Sequence, residues 1–174
     1  MTLTATELTV LGLIAEQPRH GYNLEQIIEQ RGIRRWADIG FSSIYYVLAK
    51  LEKRGLISAD SARASMRSRR VFHATEEGCD LAASATLDFI VTAQSVPHPF
   101  LVGLANKTLV TKQAYNQAIL NRLAQIEGKI VAVTEAEHSQ APLPEHAREV
   151  FSYSLALLKA ERTWLAERAP VSDD

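Results

Sequence analysis

Residues 41–57, Phe-Ser-Ser-Ile-Tyr-Tyr-Val-Leu-Ala-Lys-Leu-Glu-Lys-Arg-Gly-Leu-Ile, constrain the chain most. They predict one helix with a sharp stop. Ser42 suits the N-cap, because its hydroxyl can accept a first-turn backbone N–H. Ile44, Val47, Leu48 and Leu51 share one face at helical spacing. The opposite face carries Ser42, Ser43, Tyr46, Ala49, Lys50 and Lys53, without a carboxylate. Gly55 supplies the left-handed residue that ends the helix. Taken alone, the stretch reads as a solvated amphipathic helix. Its hydroxyls, phenol and lysines also suit a DNA major groove, where such groups reach phosphates and base edges.

The neighbouring sequence favours the second reading. Residues 4–16 begin with Thr4 and Glu7 at capping-box spacing, followed by an apolar stripe of Leu8, Leu11, Ile14 and Ala15. Pro18 and Gly21 break this helix. A second runs over about 22–31 and stops at Gly32, so three helices joined by short turns precede Gly55, as in a helix-turn-helix. Residues 56–60 and 70–74 predict two short strands with a basic segment between them, which makes a wing. Arg63, Arg67, Arg69 and Arg70 are then phosphate contacts. A disordered basic loop is compatible with the same residues.

Charge is concentrated in this region. Residues 41–75 hold seven basic and two acidic side chains, a local +5, whereas the whole chain of 174 residues is −1 and the remainder −6. A basic patch on a near-neutral protein is the electrostatic footprint of nucleic-acid binding. No apolar run approaches the roughly 18 residues of a transmembrane helix, and the N-terminus lacks a signal-peptide pattern. The single cysteine, Cys79, fits a reducing cytosol, so a cytoplasmic protein without membrane association is expected. Cys79 reads as a small buried hydrophobe, because Glu76, Glu77 and Asp80 disfavour a reactive thiolate. The five histidines make no metal-ligand spacing with it. No catalytic arrangement and no phosphate-binding glycine loop is present, so neither enzyme activity nor a cofactor is expected.

The C-terminal half is helical. Thr75 caps a helix over 76–93, and 100–109 predict a short buried helix. A helix over 112–137 carries Tyr115, Ile119, Leu123, Ile126, Ile130 and Val133 close to a heptad seam. After a proline-rich hinge, 145–168 carry two rows spaced by seven, Val150-Leu157-Trp164 and Phe151-Leu158-Leu165. So wide an apolar face predicts a homodimer interface, with an intramolecular bundle as the alternative. Phe89, His98, Phe100 and Trp164 are candidates for a small aromatic effector, although each also suits plain core. Trp36 is expected to pack under the third helix. Tyr45 either packs on the second helix or gives its hydroxyl to a phosphate.

The ordered set Leu3-Thr4, Val10-Leu11-Gly12-Leu13-Ile14, Pro18, His20-Gly21-Tyr22, Ser42-Ser43-Ile44-Tyr45, Leu48, Leu51-Glu52, Gly55-Leu56-Ile57, Arg70 and Thr75-Glu76-Glu77-Gly78 resembles the PadR family of bacterial transcriptional regulators. The match spans about residues 3–80. The chain length and the closing Glu161-Arg162-Thr163-Trp164-Leu165 look like the longer subfamily with a several-helix C-terminal domain. The resemblance implies homodimeric winged helices on palindromic double-stranded operator DNA, usually repressing, with phenolic or other small aromatic effectors for some longer members and activators in a related branch. Phe72 stands where the family often has Tyr, Ala74 where it usually has Leu, and the wing tip lacks the common glycines. The expected architecture is mainly α with a small β-wing: a winged helix-turn-helix over 1–80 and a helical dimerisation and effector domain over 81–174. A winged-helix protein-interaction module that does not bind DNA is the rival, and a ligand carrier or small enzyme a weaker one.

Overall fold

The computed structural model describes residues 2–37, 39–40, 43–60, 70–93 and 95–170. Ser42, Arg63, Arg67 and Arg69 lie outside the described residues. The chain divides into two units, 1–95 and 96–174.

In the first unit, α1 (Ala5–Glu16) starts at the expected capping box: the Thr4 hydroxyl accepts from the Glu7 N–H, and the Glu7 carboxylate accepts from the Thr4 N–H at 2.8 Å. A two-residue strand β1 (Arg19–His20) leads directly into α2 (Gly21–Gln30). A 3-10 turn at Ile33–Arg35 precedes α3 (Ser43–Lys53). Gly55, at φ +72°, ends that segment in the left-handed conformation that glycine adopts without steric cost. Strands β2 (Ile57–Ala59) and β3 (Val71–Ala74) follow, and then α4 (Glu76–Val91).

The sheet is antiparallel in the order β1-β3-β2, with Arg19 opposite Phe72 and Ser58 opposite His73. The wing strands thus stand where the sequence predicts them. Strand β1 does not follow from sequence periodicity, because two residues are too few to alternate. Its partner strand and the burial of Arg19 hold it: the Arg19 guanidinium donates to the Leu13 carbonyl at 2.8 Å and meets Glu16 at 3.3 Å. The core gathers Val10, Leu11 and Ile14 of α1, Leu24 and Ile28 of α2, Ile44, Leu48 and Leu51 of α3, Leu56, Ile57, Phe72, and Ala82 and Ala85 of α4.

Helix α4 packs on α1 within this unit, so the expected boundary at residue 80 falls inside a helix, whereas the chain divides at 95. Two expectations are corrected. Cys79 is exposed, since the buried positions of α4 are Gly78, Ala82 and Ala85 and Cys79 points about 100° away from Gly78. Trp36 is 54% exposed, because Ile33, Ala37 and Ile39 fill the core around it instead.

The second unit consists of α5 (Pro99–Ala105), a 3-10 turn at Lys107–Leu109, α6 (Lys112–Ser139) and α7 (Glu145–Ala166). The Thr111 hydroxyl caps α6. Helices α6 and α7 pack along their length around Ile119, Ile126 and Leu165, with Tyr115, Leu123, Ile130, Leu158 and Trp164 at the margin. The segment expected as a buried helix at 100–109 is surface instead: Leu101, Val102 and Leu109 are exposed, and Phe100 alone of its large side chains joins the cluster.

Candidate nucleic-acid interface

Helix α3 presents its two faces as its periodicity requires. Ile44, Val47, Leu48 and Leu51 are buried. Tyr46 is 70% exposed, and Ala49, Lys50 and Lys53 are exposed beside it. At the entrance, the Ser43 hydroxyl donates to the Gly40 carbonyl at 2.5 Å, leaving its oxygen able to accept. Tyr45 lies against α2: a Cβ at Gly21 would be 3.0 Å from its ring. Packing is therefore a role that Tyr45 has, and its ring remains partly exposed. His20 and Tyr22 stack at 5.3 Å and 15°, which fixes the α1–α2 turn.

The cations of this surface are not equivalent. Lys50 was expected on the open face, yet its ammonium lies 2.7 Å from the Glu7 carboxylate, whose side chain is almost fully buried. Arg54, just past the end of α3, approaches the same oxygen at 3.5 Å. Burial pushes the Glu7 carboxyl up, but the adjacent Lys50 ammonium and the hydrogen bonds with Thr4 outweigh it, so its pKa lies below the ordinary 4.5. Arg70, expected on the phosphates, donates through both terminal nitrogens to Glu52, and its guanidinium lies 5.5 Å from the Phe72 ring centroid. Among the described residues, Lys53 has no carboxylate partner. In the sequence, Glu7 is marked only as a cap residue, and nothing local shows the approach of Lys50 and Arg54 to it.

In the second unit, the candidate dimerisation residues part company. Tyr115, Ile119, Leu123, Ile126, Leu158 and Leu165 pack between α6 and α7 of the same chain, as in the intramolecular alternative. Phe151 is half-buried. The two rows of α7 are offset by one residue, about 100°, and only one can face α6. The other is turned outward, with Val150 exposed and Leu157 at 56%. Trp164 closes its end by an edge-to-face contact with Phe100 at 5.7 Å. The Arg122 guanidinium covers Phe100 at 3.9 Å and bonds Glu161 at 2.6 Å. His98 lies 6.3 Å from Phe100. Three of the four effector candidates thus cluster, while Phe89 is exposed on α4. An open hollow that the sequence did not suggest is lined by Lys107, Thr108, Val110, Lys112 and Tyr115.

Three antiparallel strands, a helix presented between α2 and the wing, and a separate helical pair define a winged helix-turn-helix protein with a C-terminal helical unit. The profile of the Transcriptional regulator PadR-like family matches residues 10–84, most of the N-terminal unit. The fold of nearly the whole chain is that of solved PadR structures. Bacillus subtilis PadR in complex with operator DNA superposes with a TM-score of 0.76 at 16% identity, covering 95% of this chain and 98% of that one. Bacillus subtilis PadR in complex with p-coumaric acid gives 0.77 at 18% identity over 95% and 97%. The smu.1604c protein of Streptococcus mutans UA159 gives 0.68 at 23% identity over 95% and 98%. No curated protein sequence matches significantly.

Proposed function

We propose that this protein is a sequence-specific DNA-binding transcriptional regulator, a cytoplasmic homodimer without enzymatic activity that represses and is released by a small aromatic effector. The observation that carries the reading is the outer face of α3: Tyr46 and Lys53 stand exposed, Ser43 is part-exposed at its start, and no carboxylate lies among them. The PadR-like assignment of residues 10–84, and the likeness in fold to a PadR crystallised on operator DNA, support the same use. Ser43, Tyr46 and Lys53 enter the major groove in this reading, with Tyr45 at its edge. Arg70 and the wing residues Arg63, Arg67 and Arg69 lie along the flanking backbone. Two copies meeting through Val150 and Leu157 place two such helices on palindromic half-sites about one helical turn apart. No described helix is long and apolar enough to cross a membrane, which agrees with a cytoplasmic regulator.

The effector part draws on the p-coumaric acid complex of Bacillus subtilis PadR and on the aromatic cluster of His98, Phe100 and Trp164. An aromatic acid entering that cluster displaces Phe100 and takes over the Arg122 guanidinium. A second reading, a regulator without such an effector, is favoured by the same cluster being filled by its own side chains. Fluorescence anisotropy of a labelled duplex from upstream of the protein's own coding region, against a scrambled duplex, tests both. Tighter binding to the native duplex, weakened by p-coumaric acid, is expected. Equal weak binding to both removes the regulator reading, and specific binding indifferent to the acid selects the second.

A further inference from the structure

The buried carboxylate of Glu7 belongs to no step of DNA contact, yet it controls the chemistry of the DNA-facing helix. One oxygen, Oε2, accepts the Thr4 N–H at 2.8 Å as part of the helix cap. The other, Oε1, faces Lys50 Nζ at 2.7 Å and Arg54 Nη1 at 3.5 Å. Side-chain exposure is 3% for Glu7, 12% for Arg54 and 45% for Lys50. The carboxylate is thus committed on one side to its own helix and on the other to α3. Lys50 is the member of the trio with solvent in reach, and so the one for which DNA phosphate and Glu7 compete.

We infer that Glu7 is an internal counterion for α3: it retains the Lys50 ammonium on Oε1, so that Lys50 neutralises no DNA phosphate and Lys53 is the lysine of α3 that does. The inference rests on the DNA-binding reading above. The contest is decided by burial. If Lys50 turned to a phosphate, Oε1 would keep only Arg54 at 3.5 Å in a site closed to water. Stripping one partner from a buried pair costs more than an exposed, salt-screened contact returns. Without Lys50, desolvation would also press Glu7 towards its neutral form, because Lys50 supplies much of what holds it ionised. Glu7 is therefore a positioning residue. It fixes the angle of α1 to α3 and the number of cations that α3 offers to the backbone.

The salt dependence of DNA affinity counts those cations, since each neutralised phosphate contributes about 0.9 to the slope of log K against log salt. The slope is measured by anisotropy for the full-length wild type, Lys50→Gln, Glu7→Gln and the double variant, on both the upstream and the scrambled duplex. Circular dichroism verifies folding. The expected result is an unchanged slope for Lys50→Gln, a slope steeper by about 1.8 for Glu7→Gln (about 0.9 from each protomer of the dimer), and the wild-type slope again for the double variant. A slope shallower by about 1.8 for Lys50→Gln alone overturns the inference, as does a folded Glu7→Gln with the wild-type slope. If Glu7→Gln fails to fold, Lys50→Gln decides, because it alters the partly exposed member of the trio. Equal affinity for the two duplexes removes the regulator reading while the slopes still judge Glu7. Absence of binding to either duplex overturns both.

Discussion

Gly78 sits against the backbone carbonyl of Leu56 so closely that a Cβ at that position would lie 2.0 Å from the oxygen. The same carbonyl accepts the Thr75 N–H at 3.1 Å, and the Thr75 hydroxyl both donates to the Gly55 carbonyl at 2.8 Å and caps α4 through the Gly78 N–H. The start of α4 is thereby locked onto the segment between α3 and the wing. Neither backbone has a flexible side-chain end to move aside, so Gly78→Ala has to displace α4 or β2. Its expected cost is about 1–3 kcal/mol or more, as for overpacked cores. Urea unfolding should show a lower midpoint with an unchanged m-value. A wild-type midpoint would show that the joint yields freely.

The pH dependence follows from Glu7, whose facing groups are Thr4 at the cap of its own helix, Lys50 on α3 and Arg54 just past the end of α3. Its folded pKa is depressed, so the folded state binds this proton less readily than the unfolded chain. The stability it contributes is therefore complete above the unfolded carboxylate value, and is lost as pH falls through the lower folded one. At neutral pH, Glu7→Gln should cost about 1.5–3 kcal/mol, the range for hydrogen bonds to charged groups. The difference between wild type and variant should narrow on acidification below the ordinary 4.5. Urea midpoints for the two proteins across pH measure it, and a gap constant down to strong acid would contradict the depressed pKa.

Tyr46 and Lys53 project from α3 without structural duties. Tyr46→Ala should weaken binding to the upstream duplex while leaving the thermal midpoint in place, since exposed substitutions usually change stability by no more than about 0.5 kcal/mol. Lys53→Gln should lower the salt slope by about 1.8, about 0.9 from each protomer of the dimer, with equal effect on specific and scrambled DNA. A Lys53 variant with the wild-type slope would place the α3 phosphate contact elsewhere.

The two rows of α7 should respond differently. Leu165 is fully buried between α6 and α7, and Leu165→Ala should cost about 2–5 kcal/mol. Val150 and Leu157 are exposed on the chain by itself. Val150→Glu with Leu157→Glu should preserve helicity by circular dichroism but shift the sedimentation coefficient from dimer to monomer. An undisturbed dimer would move the association surface to the other exposed apolar residues.

Local pattern was enough for much of this molecule. The helical spacing of Ile44, Val47, Leu48 and Leu51 names the buried face of α3, the Thr4–Glu7 spacing names a capping box, and Gly55 and Thr75 mark where helices stop and start. These features act over one or two turns, and their physics is contained in neighbouring residues. The PadR resemblance, read from residues 3–80, overlaps the stretch matched by the family profile.

Partner choice is what tertiary structure decided. Lys50 and Arg70 look like free cations in one dimension. Each meets a carboxylate, Glu7 or Glu52, that the chain brings close only on folding or across the wing. The rows of α7 look equally apolar, but a helix can turn only one side to its neighbour, and packing against α6 chose Leu158 and Leu165 over Val150 and Leu157. Strand β1 exists because β3 offers it hydrogen bonds, not because Arg19-His20 prefers to be extended. Periodicity determines which faces are apolar or charged; which opposing group meets each face is set by contacts between residues distant in sequence, and only the folded chain contains them.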